Sequence, residues 1–279
     1  MALLLIGLLL KIAMTALIVV AASVVVERTG AFVGALVASL PTAGGAALII
    51  LAFEHPPSFI ASSAIGSMVS MAACAIFALS YAALAQRHSL TVSLGGAFLV
   101  WFVAALLSRL VDWTATTALL LNAVVYPLTI FAAVRFLGHG AVKAHVKLSG
   151  RDLAWRAGVV TLCVIIVTAA SQSLGSYFSG VFAFFPVAMG SFFIILHSRL
   201  GGPAAASVAA HVQAPLIGLV LSLLAVHLLA EPIGVWWSYA VGLSIGIAWN
   251  VLLWLMRGWR GARSARPRGS GDPGRISQQ

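Results

Sequence analysis

Charged side chains are scarce in this sequence. Only 8% of its 279 residues are Asp, Glu, Lys or Arg, whereas a soluble domain carries about 25%. Acidic side chains are rarest, and all six lie at predicted helix ends, in loops or in the C-terminal tail: Glu27, Glu54, Asp112, Asp152, Glu231 and Asp272. Because no acid is expected at membrane depth, the sequence argues against an intramembrane aspartyl protease and against a carboxylate proton relay of the usual pump type.

Cysteines and catalytic motifs are also few. Cys74 and Cys163 both fall inside apolar runs, where we expect small hydrophobic side chains rather than a disulfide or a metal pair. The sequence contains no HExxH and no P-loop, the motifs of zinc proteases and nucleotide-binding proteins. His211 and His227 would lie roughly 24 Å apart on one helix, too far to share a haem. We therefore expect no enzyme, no cofactor and no metal site.

What the sequence has in excess is apolar side chain. Hydrophobic residues make up 62% of the chain and the mean hydropathy is +1.08, against roughly 45–50% apolar residues in globular proteins. This composition predicts a polytopic membrane protein and excludes a soluble enzyme, a nucleic-acid-binding protein and a secreted disulfide scaffold. The net charge of +10 comes largely from basic clusters beside apolar segments, which are typical of the cytoplasmic side of a membrane protein; lipid headgroup binding is the alternative.

Measured against the roughly 20 apolar residues that a transmembrane helix needs, the sequence predicts nine spans. They cover 3–26, 31–53, 59–85, 90–110, 115–135, 155–173, 175–197, 204–230 and 235–256. We divide the chain into a first membrane repeat, a connector helix with a basic loop, a second repeat and a disordered basic tail: 1–112, 113–154, 155–258 and 259–279. No basic segment precedes the apolar run in residues 1–10, so we expect this segment to be retained rather than cleaved as a signal peptide.

The orientation follows from the basic residues. Placing the 136–154 loop and the C-terminal tail in the cytoplasm leaves four spans between them, which is the required parity. The predicted outer loops then hold Glu54, Asp112 and Glu231, with Arg109 as their nearby basic residue. We therefore expect the N-terminus outside and the C-terminus in the cytoplasm.

An internal repeat appears at an offset of 145 residues. Without gaps, it aligns Lys11 with Arg156, Gly30 with Gly175, Pro41 with Pro186 and Gly45 with Gly190. Shared proline, glycine and basic positions at one offset predict a duplication of four spans, with the fifth span as connector. Because an odd number of spans separates equivalent helices, the two copies are inverted, an arrangement typical of secondary transporters.

The second and seventh predicted spans each carry a central proline, Pro41 and Pro186. Proline removes a backbone donor and clashes with the preceding turn, and matched interruptions in two halves point to a transporter site. A simple kink, which membrane helices tolerate, is the alternative. Small-residue pairs such as Gly242-x-x-x-Gly246 predict close helix packing rather than a ligand.

Few polar side chains are expected at membrane depth. Lys11 lies inside the first span if that helix starts near Leu3; the alternative is that it reaches the outer surface from a later helix start. His211 and Gln213 lie early in the eighth span and fit either a structural role or a role at the site. Asn122 and Asn250 are expected to be interhelical hydrogen-bond partners.

One stretch of the sequence is similar to a known family. Residues 11–51, with Ala16-Leu17-Ile18-Val19-Val20, Gly34-Ala35-Leu36 and Leu40-Pro41-Thr42, resemble the GlpM-like family of small, roughly four-span bacterial inner-membrane proteins. The chain departs from that family in being duplicated. The resemblance implies a bacterial inner membrane and a fused dimer of an ancestral unit, and it implies no substrate.

Together these features predict a secondary transporter of a small anionic or neutral solute, with its site where the interrupted helices meet. Its partners would be that solute and the lipid bilayer, with no nucleic acid; a homodimer is left open. A lipid flippase or scramblase and a non-transporting assembly subunit are the alternative functions. The candidate site residues are Ser39, Pro41, Thr42, Gly44, Gly45, Pro186, Gly190, Ser191, Lys11, Arg156, His211 and Gln213.

Overall fold

The computed structural model describes residues 42–137 and 149–264, together with two isolated residues, Ala13 and Leu17. The predicted span 3–26, the basic loop at 138–148 and the C-terminal residues after 264 lie outside these ranges. Within them the chain is all-helical, with nine α-helices and two short 3-10 turns. The α-helices are α1 Thr42–Glu54, α2 Pro57–Leu84, α3 Leu90–Leu107, α4 Ala115–Ala133, α5 Gly150–Ala183, α6 Val187–Leu200, α7 Gly202–His211, α8 Gln213–Ile233 and α9 Val235–Ser264.

Seven helical segments in the described residues are long and apolar enough to cross a membrane. They are Pro57–Leu84, Leu90–Leu110, Ala115–Phe136, Gly150–Ser171, Ser173–Leu200, Gly202–Ile233 and Val235–Met256. Each corresponds to one of the predicted spans, and the shorter apolar helix Ala43–Glu54 covers the end of the predicted span 31–53. An all-helical chain with these segments has the architecture of a multi-pass membrane protein.

Two boundaries differ from the sequence prediction. Helix α9 continues to Ser264, so residues 259–264 are helical and not part of a disordered tail. The first proline after this span is Pro267, and until then the sequence contains no residue that must end the helix. The sequence predicts two separate spans, 155–173 and 175–197. In the structure α5 continues through this point, with one non-helical residue, Gly175, at φ +72° and ψ 173°.

Contacts between helix ends agree with the predicted alternation of the spans. Ends assigned to the outer side meet in three places: His55 Nε2 with Ser171 Oγ at 2.9 Å, the Phe53 and Trp236 rings at 4.9 Å, and Arg109 above the Phe178 ring at 5.3 Å. Ends assigned to the inner side meet where Tyr81 contacts His197 at 3.0 Å and where Arg199 pairs with Asp152. These contacts support the relative order of the spans along the bundle.

Helix α2 is the central element of the described fold. It packs against α3, α4, α5 and α8, and most of its residues are buried. Side chains from α4 and α8 donate hydrogen bonds to its backbone: Asn122 to the Met68 carbonyl at 2.9 Å, Tyr126 to the Met71 carbonyl at 3.2 Å and Gln213 to the Ala75 carbonyl at 2.9 Å. These bonds attach α4 and α8 to α2.

Several helices begin at positions separated by the repeat offset. Helices α1, α2 and α3 begin at residues 42, 57 and 90, and helices α6, α7 and α9 begin at 187, 202 and 235, each 145 residues later. The first pair of starts follows the aligned prolines Pro41 and Pro186. At the second pair Pro56 aligns with Gly201, both residues that punctuate helices.

Candidate functional site

The interruption expected at Pro186 is present. Helix α5 ends at Ala183, helix α6 begins at Val187, and Pro186 is the N-cap residue of α6. The carbonyl oxygen of Phe184, in the break, faces α2, where Cys74 Sγ lies 3.2 Å and Ser70 Oγ 3.4 Å away as donors. In lipid such backbone groups need protein partners or a water-lined cavity. Here side chains of α2 supply the partners.

The start of α1, which follows Pro41 in the sequence, lies beside the break before Pro186. Gly44 lies against the Phe184 ring, where a Cβ atom would be only 2.4 Å from Phe184 Cε1. Gly45 and Phe184 both line the same cavity. Thr42 is the first residue of α1, while Lys11, Ser39 and Pro41 lie outside the described residues. The segments at 42–45 and 184–186 therefore meet.

The cavity has a volume of about 170 Å³ and lies between α1, α8 and α9, next to the break. Its lining is mostly apolar. The described residues that line it are Gly45, Leu48, Ile49, Phe184, Pro215, Leu219, Ser222, Leu223, Val226, Tyr239, Gly242, Leu243, Gly246, Ile247 and Asn250.

Two of the three polar side chains on the lining donate hydrogen bonds to backbone carbonyls. Tyr239 OH donates to the Leu48 carbonyl at 2.8 Å, and Ser222 Oγ donates to the Gly218 carbonyl at 2.8 Å. Asn250 Oδ1 is buried and has no hydrogen-bond partner among the described residues. The interhelical bond expected of asparagine is thus made by Asn122 and not by the side-chain oxygen of Asn250. The cavity is an apolar space with one unsatisfied acceptor on its lining.

The repeat-equivalent region in the other half is filled by aromatic rings. A Cβ atom on Gly190 would lie 2.7 Å from Phe98 Cζ, and the rings of Phe98 and Trp101 pack on Phe185 with centroids 5.2 and 5.0 Å apart. Ser191 is buried and its Oγ donates to the Ala188 carbonyl at 2.9 Å. Gly190 therefore packs in this aromatic cluster, and neither Gly190 nor Ser191 is on the cavity lining described above.

Arg156 is a buried cation. Its side chain is 5% exposed, and Nε and Nη1 have no hydrogen-bond partner within the described part of the chain. The guanidinium carbon lies 5.2 Å from the centroid of the Phe192 ring on α6. The acid one helical turn away, Asp152, pairs with Arg199. Since a buried charge is costly unless it is paired, Arg156 is a candidate contact for an anion.

The remaining predicted site residues have structural partners. Gln213 is 1% exposed; besides its bond to α2, its Oε1 accepts a hydrogen bond from Thr129 Oγ1 at 3.1 Å. His211 Nδ1 lies 2.7 Å from the Ser207 carbonyl in the last turn of α7. Within the described ranges, no three His, Cys, Asp or Glu side chains come together as metal ligands.

Sequence reasoning missed most of the cavity. Asn250, Ser222 and Tyr239 are polar residues in mostly apolar helices, as is common in membrane proteins. The sequence therefore does not indicate that they line a cavity. The available signal was Gly242-x-x-x-Gly246, which predicts a close approach of two helices. That approach is present, because a Cβ atom on either glycine would lie 2.9 Å from an atom of Ser222.

Comparison of the chain with models of known protein families, with curated protein sequences and with solved structures gives no match.

Proposed function

We propose that this chain is an integral membrane secondary transporter that moves a small anionic or neutral solute by alternating access between two inverted four-helix repeats. The observation that carries the proposal is Arg156, a 5% exposed cation in the apolar segment Gly150–Ser171. Ionisable residues inside membrane segments mark substrate or ion pathways by default. Of the two proposed solute classes, anionic and neutral, the unpaired guanidinium favours the anionic one.

The surroundings of Arg156 support this choice. The face of the Phe192 ring attracts the cation but leaves guanidinium N–H donors free for a ligand. Guanidinium donors match carboxylate and phosphate oxygens in a planar, bidentate geometry. A small carboxylate or phosphate that binds there would supply the missing counter-charge.

Three observations support the repeat architecture. The helix starts recur at 145-residue intervals, the predicted interruption occurs at Pro186, and α2 packs against α7 and α8, which together cover the equivalent positions of the second half. In transporters with inverted repeats the substrate site lies where interrupted helices of the two halves meet. The contact of Gly44 with Phe184 brings these two segments together.

We propose the bacterial inner membrane as the location, with the N-terminus outside and the C-terminus in the cytoplasm. Loop basicity supports this orientation. A reporter active only in the cytoplasm should give signal when fused after residue 258 and none when fused at residue 114. Equal signals at both positions would contradict the inverted-repeat arrangement.

The test of the anion site compares two arginines of the same helix. Chloride, phosphate and short mono- and dicarboxylates are screened for thermal stabilisation of the purified protein, and the stabilising anion is then followed in proteoliposome counterflow. Arg156→Gln should abolish both effects. Arg151→Gln, which changes an exposed arginine near the start of α5, should leave both unchanged.

The outcomes separate the two solute classes. Equal stabilisation and counterflow in the wild type and in Arg156→Gln would remove Arg156 from the anion site. If none of these anions stabilises the wild type, a neutral solute is left. Arg156→Lys tests geometry as well as charge, because lysine keeps the charge but cannot form the bidentate contact. We expect it to retain less activity than the wild type and more than Arg156→Gln.

A lipid flippase or scramblase is the second candidate. The observation that favours it is the position of the cavity, whose lining residues Leu243 and Ile247 are about half exposed, at 54% and 49%. Its apolar lining suits a lipid tail better than a charged headgroup. Dithionite reduction of fluorescent lipids in proteoliposomes would show scrambling if this candidate were right. Inactivity in both the transport and the lipid assays would favour the assembly-subunit alternative.

A further inference from the structure

The cavity between α1, α8 and α9 owes its volume to residues without side chains. Gly45, Gly242 and Gly246 all lie on its lining. The backbone of α9 approaches α8 so closely that Cβ atoms at the last two positions would lie 2.9 Å from Ser222. The Ser222 carbonyl faces Gly242 and the Ser222 Oγ faces Gly246, so the two helices cannot move closer here and the space beside them stays open.

The size of the cavity limits its occupant. Its volume is about 170 Å³, slightly more than the roughly 150 Å³ of an engineered apolar cavity that stays dry and binds benzene. A space of this size and polarity fits one six-membered ring with a small substituent. It is too small for a whole lipid.

The polarity of the lining identifies the substituent. Tyr239 and Ser222 already donate to backbone carbonyls, whereas the side-chain oxygen of Asn250 is buried and lacks a partner in the described residues. A buried acceptor left unsatisfied is unfavourable, and a hydroxyl group in the cavity would satisfy it. The lining offers no described cationic or anionic side chain, so the ligand carries no charge.

We propose that this space, which we call the Asn250 cavity, is a binding site for an uncharged six-membered-ring molecule with one hydroxyl group, the chemical class of phenol. The ring contacts the aliphatic lining, and the hydroxyl group donates to Asn250 Oδ1. The exposed lining residues Leu243 and Ile247 place the cavity beside the lipid-facing surface, so the ligand enters from the bilayer. The cavity does not include Arg156 and its test needs no transport assay, although it shares Gly45 and Phe184 with the point where the interrupted segments meet.

The test uses two fluorinated probes that differ by the hydroxyl group, 4-fluorophenol and fluorobenzene. Their binding to the purified full-length chain in detergent is followed by fluorine NMR, and empty micelles give the partition background. We expect saturable binding of both probes, with 4-fluorophenol tighter by about three- to tenfold, the range of one net hydrogen bond. Asn250→Leu should remove that preference and leave fluorobenzene binding unchanged.

Two variants of α8 locate the site. Leu219→Phe adds a ring to a lining position and should abolish saturable binding of both probes. Leu228→Phe makes the same change at an exposed position of the same helix, 58% exposed and off the lining, and should bind as the wild type does. Should Asn250→Leu not fold, Asn250→Ala removes the same acceptor and the same loss of preference is expected.

Three results would overturn the proposal. The first is no saturable binding to the wild type above the micelle background. The second is equal affinity of the wild type for the two probes after correction for partition. The third is unchanged binding in Leu219→Phe, which would place the ring elsewhere.

Discussion

Ser67 on α2 donates a hydrogen bond to the carbonyl oxygen of Gly180 on α5 at 3.1 Å. The helices are in backbone contact here, since a Cβ atom on Gly180 would lie 1.8 Å from the Ser63 carbonyl oxygen and one on Gly66 would lie 2.1 Å from the Tyr177 carbonyl oxygen. Small residues that allow such an approach are the usual basis of helix association in membranes. This contact joins the first half of the chain to the segment just before the break at Pro186.

Gly180→Ala should therefore destabilise the protein. The new methyl group meets a backbone carbonyl, so the helices must separate and the Ser67 bond is weakened. Overpacking of this kind costs about 1–3 kcal/mol. Thermal unfolding in detergent measures the loss.

The matched control is Gly158→Ala on the same helix. In the described structure, nothing lies within 4 Å of a Cβ atom added at Gly158, and alanine in an exposed helix interior is favoured over glycine by about 0.5–1 kcal/mol. This variant should be as stable as the wild type or slightly more so. Equal destabilisation of both variants would show that the α2–α5 contact is not the cause.

Gly175 is needed for a different reason, its backbone conformation. Its φ of +72° with ψ near 173° belongs to a region that is essentially restricted to glycine, while the described neighbours leave room for a methyl group. Gly175→Ala should lower the free energy of unfolding by about 1–3 kcal/mol through backbone strain alone. Hydrogen exchange should rise locally around residues 171–179. Unchanged stability would mean that α5 passes residue 175 as a regular helix.

The positions of the helices could be predicted because bilayer thickness sets their length. Apolar runs of about 20 residues ended by charged residues, proline or glycine locate all seven long segments. The interruption at Pro186 is found, because proline acts on the local backbone. At 173–175 the helix α5 continues, with one non-helical residue, Gly175. The extension of α9 to Ser264 was missed, since arginine favours a helix and glycine weakens a helix without ending it.

The contents of the site could not be predicted in the same way. Trp101 and Gly246 are repeat-equivalent positions, yet one half is filled by aromatic rings and the other encloses the Asn250 cavity. Whether a polar side chain at depth is satisfied depends on its neighbours on other helices, as Gln213 and Arg156 illustrate. Gln213 hydrogen-bonds with Thr129 and with the Ala75 carbonyl. Nε and Nη1 of Arg156 have no hydrogen-bond partner that the structure describes.

The Gln213 contacts predict a structural role for this residue. Gln213→Leu leaves the Ala75 carbonyl and Thr129 without their partner and should lower stability by about 1–2 kcal/mol, given that interhelical hydrogen bonds in membranes contribute about 0.6 kcal/mol on average and about 1.7 at most. Thr129→Val removes one of the same bonds. A double-mutant cycle of thermal unfolding measures the coupling between the two side chains.

In that cycle the double variant should be less destabilised than the sum of the single variants by about 0.5–1 kcal/mol. Additive losses would show that the bond between Thr129 and Gln213 contributes nothing. Once a substrate is identified, loss of transport in Gln213→Leu with unchanged stability would instead assign this residue to the transport pathway.

His55 predicts a pH dependence at the loop between α1 and α2. Burial lowers the pKa of His55 below its ordinary value of 6.5, opposed in part by the nearby Glu54 carboxylate, and the ring stacks on Phe59 at 3.7 Å. The unfolded chain then takes up a proton at higher pH than the folded protein does. Stability is therefore complete above pH 6.5 and falls as the pH decreases from 6.5 to the lowered pKa. Melting temperatures between pH 5 and 8 should show this decrease in the wild type and in His88→Gln, a control in another loop. The decrease should be smaller in His55→Gln. The same decrease in all three proteins would assign the effect to other groups.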